Sequence, residues 1–240
     1  MTLAVDAPLR DGSLGIGFII INDKIGVTKE TTFNSNYSYK IRMGKGNLSL
    51  GLGVALITTN TAWSDLVVLD PGDEFYLINS RVYAVPGFSF GMYYLSYNYF
   101  AGISIPKLVG YKFDFNHNKY SLEVNMGQYN YLFNTGYVFD ISPKTKFIPS
   151  ALITYSPGEK TLYDINAHFS FFDRLMVGGS YRNSRSLAGF FQYKVNNQLR
   201  IAYTYSFDFG PLRSYSSGSH EIMIRYEFRY KVDVISPLVF

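Results

Sequence analysis

The sequence predicts an all-β, antiparallel chain of the transmembrane β-barrel type, and three observations carry that reading. Segments of about ten residues alternate apolar and polar side chains, the period-2 pattern of strands with two unlike faces. Aromatic residues are abundant: 22 Tyr, 20 Phe and 1 Trp make 18% of the 240 residues. Charged residues make only 17%, where soluble domains carry roughly 25%, yet no run approaches the ~18 apolar residues of a membrane helix. The aromatic content excludes disorder, and no triplet or heptad recurs.

About twelve strands follow in order. They cover residues 14–22, 33–41, 47–57, 87–95, 97–105, 128–139, 146–155, 162–171, 175–182, 187–196, 199–208 and 222–230. The clearest alternation sets Tyr163, Ile165, Ala167, Phe169 and Phe171 against Asp164, Asn166, His168 and Ser170. The next sets Ile201, Tyr203, Tyr205 and Phe207 against Arg200, Thr204, Ser206 and Asp208, and the last sets Ile222, Ile224, Tyr226, Phe228 and Tyr230 against Glu221, Arg225, Glu227 and Arg229. Short turn signals stand at 43–47, 156–159, 172–174 and 196–198, and longer polar connections at 58–81, 107–120 and 210–218. Short turns at one rim and longer loops at the other are the habit of outer-membrane barrels.

A soluble β-sandwich is the competing architecture. Its strands are usually 5–6 residues, whereas ~9–11 cross a tilted bilayer. The polar faces here hold Asn, Ser, Gly and Thr with charges of both signs, suited to a crowded lumen more than to a Lys- and Glu-rich solvent face. On pattern alone the residues favour the barrel, and the sandwich stays open. The whole of 1–240 reads as a single outer-membrane barrel domain.

Several chemistries are weak or excluded. With no cysteine there is no disulfide, thiolate metal site or Cys nucleophile. The net charge of +4 is dispersed, with Lys40, Arg42 and Lys45 the densest group, so no phosphate-tracking face for nucleic acid forms. The pairs Gly15/Gly17 and Gly51/Gly53 lie inside alternating segments on the non-apolar face, with no helix following as a phosphate loop requires. Asp65, Asp70, Asp73 and Glu74 could gather around calcium, but Asp-Pro-Gly-Asp is by itself a turn signature. Ser219 and His220 are strand neighbours that point to opposite faces, and no Gly-x-Ser-x-Gly elbow presents a nucleophile. No enzyme and no cofactor is expected.

Charged residues at inward positions come from the last four strands: Arg182, Lys194, Arg200, Asp208, Glu221, Arg225, Glu227 and Arg229. Their mixed signs fit a charge network filling a lumen better than the single-sign lining of a selective channel.

The strings Gln198-Leu-Arg-Ile-Ala-Tyr-Thr-Tyr205, Tyr215-Ser-Ser-Gly-Ser-His-Glu-Ile-Met223 and Ser236-Pro-Leu-Val-Phe240 resemble the PorP/SprF family of Bacteroidetes outer-membrane proteins. Further matches are Ile21-Asn-Asp-Lys-Ile-Gly26, Leu48-Ser-Leu-Gly-Leu52, Tyr99-Phe-Ala-Gly-Ile-Ser-Ile-Pro106, Pro149-Ser-Ala-Leu-Ile-Thr-Tyr155 and Gly178-Gly-Ser-Tyr-Arg182. The most specific element is Ser216, Ser217, Gly218, Ser219, His220, Glu221 and Ile222. The resemblance implies an outer-membrane β-barrel of the type IX secretion system, non-enzymatic, with some members tied to gliding. Implied partners are outer-membrane lipid, the type IX translocon and periplasmic components, and an exported adhesin or its C-terminal secretion signal. A passive porin or hydrophobic-compound transporter is the alternative. Residues 1–12 carry neither the basic nor the apolar region of a signal peptide. The family pattern has a signal and a further N-terminal stretch, so the native reading frame is expected to extend upstream of Met1, with an N-terminal hairpin missing here.

Overall fold

A computed structural model describes residues 1–9, 12–65, 82–114, 119–210, 213 and 217–228. The strands are β1 (Thr2–Leu9), β2 (Leu14–Ile25), β3 (Thr28–Met43), β4 (Gly46–Thr61), β5 (Tyr83–Leu95), β6 (Tyr99–Ile105), β7 (Gly110–Asp114) and β8 (Lys119–Glu123). They continue with β9 (Tyr131–Tyr137), β10 (Phe139–Ser142), β11 (Thr145–Tyr155), β12 (Leu162–Phe171), β13 (Leu175–Arg182), β14 (Ser186–Lys194), β15 (Leu199–Asp208) and β16 (Ser219–Tyr226). Among the described residues the strand pairs are antiparallel and join strands close in the chain, which fits a β-barrel. Among the described residues no helix is long and apolar enough to cross a membrane, which leaves crossing by strands untouched. The chain divides into two compact units: Met1–Thr135 with Ile153–Thr161, and Gly136–Leu152 with Leu162–Phe240.

In the first unit, β1 to β6 pair in succession. One face aligns Val5, Phe18, Ser35, Val54 and Phe88, and beside them Leu3, Ile20, Phe33, Leu56 and Pro86. The opposite face aligns Asp6, Gly17, Asn36, Gly53 and Ser89, and beside them Pro8, Gly15, Ser38, Gly51, Gly91 and Ser104. The Gly pairs thus stand on the polar face, as the alternation requires, and line an open trough of about 720 Å³. Pro86 lies beyond the stretch where β6 pairs with β5, so its missing N–H removes no bond of that ladder.

The ladders outrun the alternation. β3 and β4 are 16 residues each, roughly 50 Å at strand rise, more than the ~9–11 residues a bilayer needs. Their far ends are threonine-rich rather than alternating. Thr28 and Thr61 hydroxyls meet at 3.0 Å, and the Thr58 hydroxyl donates to the Thr31 carbonyl at 3.0 Å. β-branched polar residues carry the hairpin onward without an apolar face.

In the second unit, β12 to β16 form a meander. Its apolar face aligns Ile165 with Tyr181 and Leu187 with Phe207; its polar face aligns Asp164, Arg182, Ser186 and Asp208. The turn at 172–174 is a type I′ shape: Phe172 and Asp173 have φ of 54° and 52°, and the Arg174 N–H donates to the Phe171 carbonyl at 3.0 Å.

Burial separates the two all-β architectures. A sandwich buries its apolar faces against a second sheet. Among the described residues only Ile57, Val85, Tyr129 and Ala202 are buried hydrophobics, while Leu52, Ile165, Ile222 and Ile224 are 62%, 55%, 72% and 69% exposed. The apolar faces are left exposed, as faces that meet lipid are.

Four strands lie outside the twelve segments read from sequence. β1 alternates Leu3, Val5, Ala7 and Leu9 against Thr2, Ala4, Asp6 and Pro8, and its proline masks the pattern. β7, β8 and β10 have five, five and four residues, too short for periodicity to register, so a hairpin stands where a loop at 107–120 is expected. Residues 128–139 are not one strand: a 3-10 turn at Met126–Gln128, capped by Asn125, precedes β9.

Candidate functional site

The polar face of β12–β16 carries the expected charges in cross-strand rows. At one end, Arg182 binds Asp164 with two hydrogen bonds, Nε to Oδ1 at 2.5 Å and Nη2 to Oδ2 at 3.1 Å. The Asp164 side chain is only 10% exposed. This fork-to-fork pair fixes the guanidinium as a single donor could not. Asp164 is absent from the expected charge set, although it heads the polar face of its strand; what sequence could not supply is its register opposite Arg182. Asp208 ends the same row, where its carboxylate accepts the Gly210 N–H at 2.7 Å. Ser180, Ser186, Ser206 and Ser219 complete an open pocket of about 380 Å³ around Asp164, Arg182 and Asp208.

At the opposite end of the strands, Lys194, Arg200 and Arg225 are directly aligned across β14, β15 and β16. Glu227 reaches two of them, 3.4 Å from Arg200 Nη2 and 3.3 Å from Arg225 Nε. The turn that sets this row is built by Asn196, whose side-chain oxygen accepts the Gln198 and Leu199 N–H groups, each at 2.8 Å. Glu221 lies between the two ends, opposite Thr204. Arg229 and Ser216 lie outside the described residues, as do Asp70, Asp73, Glu74 and His117; Asp65 ends a 3-10 turn at Trp63–Asp65.

The remaining residues of the singled-out string shape the start of β16. The Ser217 carbonyl accepts the Tyr205 hydroxyl at 2.8 Å. Gly218 has φ of 101°, and a Cβ there would meet the Ser206 carbonyl and the Tyr205 hydroxyl at 2.7 Å, so only glycine fits. Ser219 pairs with Ser206 on the polar face, while His220 and Ile222 stand on the apolar face. His220 Nδ1 is 2.6 Å from the Tyr203 hydroxyl, and its ring lies 4.9 Å from that of Tyr205. Serine and histidine on opposite faces make no nucleophile–base pair. Among the described residues no three His, Asp or Glu side chains gather as a metal site.

An exposed apolar face, a polar face opposite it and rows of charge set by strand register fit a membrane-spanning sheet. The family model described as type IX secretion system membrane protein PorP/SprF matches residues 1–226. The chain belongs to the PorP/SprF family. It is therefore a membrane component of the type IX secretion system. The match spans all of β1 to β16 as well as the string 216–222 that carries the sequence resemblance, so PorP/SprF membership rests on the whole meander and not on one motif. No curated protein matches the chain significantly.

Proposed function

We propose that this PorP/SprF protein is a single, non-enzymatic outer-membrane β-barrel that assists export or surface attachment of partner proteins. The observation that supports this best is the pairing of an exposed aromatic face with an ionic face in one register, within a family of secretion-system membrane components. The ionic face is read as the lumen side, because Arg at the bilayer midplane costs about 2–4 kcal/mol when it faces lipid. Partners on this reading are the type IX translocon and its periplasmic components, and an exported adhesin or its C-terminal secretion signal, with gliding a role shared by some members.

A passive porin is the second reading, favoured by the glycine- and serine-lined trough of the first unit, where side chains leave space. Deleting the full-length gene separates the two. Export assistance predicts loss of particular surface proteins with unchanged solute uptake. Slower uptake of a nutrient with an intact secreted-protein profile would replace it with the porin reading.

A further inference from the structure

The polar face of β12–β16 gathers three of its cations into one row. Asp164, Asp208 and the Arg182 bound to Asp164 lie at the end of the strands nearest the connection at 209–218. Lys194, Arg200 and Arg225 lie at the other end, about eight residues away along β15, roughly 27 Å. Between them lies Glu221, opposite Thr204, and beside the cations runs an uncharged row of Met176, Gln192, Ala202 and Met223. Among the described residues Glu227 is the carboxylate that pairs with these cations, and Lys194 makes no ion pair. Like charges placed directly opposite across strands destabilise a ladder. Here three stand side by side, about 4.8 Å from strand to strand, with Glu227 the one carboxylate paired with them among the described residues.

The geometry points to the Lys194–Arg200–Arg225 row as a docking site for an acidic peptide segment. This deepens the export reading and rests on it, since it names the chemistry of the partner. Charge complementarity selects an anion. Glu227 selects carboxylate: held by its own N–H on the Gln198 carbonyl at 2.8 Å, it shows the row already accepting a peptide carboxylate at its edge. The length of the row, about 10 Å, suits several carboxylates on an extended chain rather than one small ion. Lipid phosphate is disfavoured because the row is on the polar face, opposite the exposed Ile222 and Ile224. Arg200 and Arg225 offer forked donors to carboxylates, and Lys194 adds a point charge.

The test uses the full chain in nanodiscs and a fluorescent hexaglutamate peptide read by anisotropy, with hexalysine and phosphatidylglycerol vesicles as comparisons. Hexaglutamate should bind and hexalysine should not, and binding should fall as NaCl rises from about 0.05 M to about 0.5 M. The R200Q/R225Q double variant should bind about tenfold more weakly or worse. Glu227→Gln should bind several-fold more tightly, because it removes the internal competitor; a merely structural Glu227 would not give that sign. Heat-modifiable gel migration verifies that each variant is folded, and Lys194→Gln provides a second, milder reduction should the double variant misfold. Absence of hexaglutamate binding, binding indifferent to the Arg substitutions, or weaker binding by E227Q overturns the proposal. So does an Arg-dependent affinity for the vesicles without one for the peptide. Failure here leaves the gene-deletion result standing, and intact export on deletion would sink the export reading while leaving the measured affinity in place.

Discussion

Arg182 and Asp164 face each other across the β12–β13 ladder and share two hydrogen bonds, with the carboxylate 10% exposed and the arginine side chain 53% exposed. The asymmetry decides which partner matters. Removing the arginine strands a nearly buried carboxylate, whereas removing the carboxylate leaves a cation that water still reaches.

Arg182→Met is therefore expected to destabilise the folded protein by about 1–2 kcal/mol, and R182M/D164N to recover part of that loss. Urea unfolding in lipid vesicles measures both. Equal losses for R182M and the double variant would show the pair to be uncoupled.

Gly178 has no room for a side chain. A Cβ there would meet the Ala167 carbonyl oxygen at 2.5 Å and press against His168. Gly178→Val should cost about 1–3 kcal/mol, as overpacking does, whereas Gly189→Ala, whose Cβ meets nothing within 4 Å, should fall within about 0.5 kcal/mol of the parent. The contrast between the two glycines, read in one unfolding series, is the measurement.

Ser35 interrupts the apolar face between Phe18 and Val54, and its hydroxyl is buried with no hydrogen-bond partner. Ser35→Ala should stabilise by about 1 kcal/mol, because an unsatisfied hydroxyl is removed from an apolar setting. A lowered urea midpoint would show that the hydroxyl has a partner in the membrane.

Because the chain has no cysteine, single cysteines report cleanly on the two faces. In vesicles, Ile165→Cys and Phe191→Cys should resist a water-soluble maleimide, while Asn166→Cys and Gln192→Cys should react. Ile165→Arg should cost about 2–4 kcal/mol. The reverse labelling pattern would mean a register slipped by one residue, which exchanges the faces.

The sequence by itself determined the all-β class, the two faces and the family resemblance, because period-2 alternation is local: each residue's face follows from its neighbours two positions away. Tyr163, Ile165 and Phe169 against Asp164 and Asn166 needed nothing distant to be read. Tertiary structure alone decided which charges meet. Arg182 finds Asp164, 18 positions earlier, and Lys194, Arg200 and Arg225 fall into one row, because turn lengths set the register and register is a property of strand pairs. The sequence presents those charges as one mixed network; cross-strand alignment sorts them into the Asp164–Arg182 pair with Asp208 at one end and a row of three cations with Glu227 at the other. It also sets the length of β3 and β4, where Thr28, Thr31, Thr58 and Thr61 hold a ladder that no apolar alternation announces.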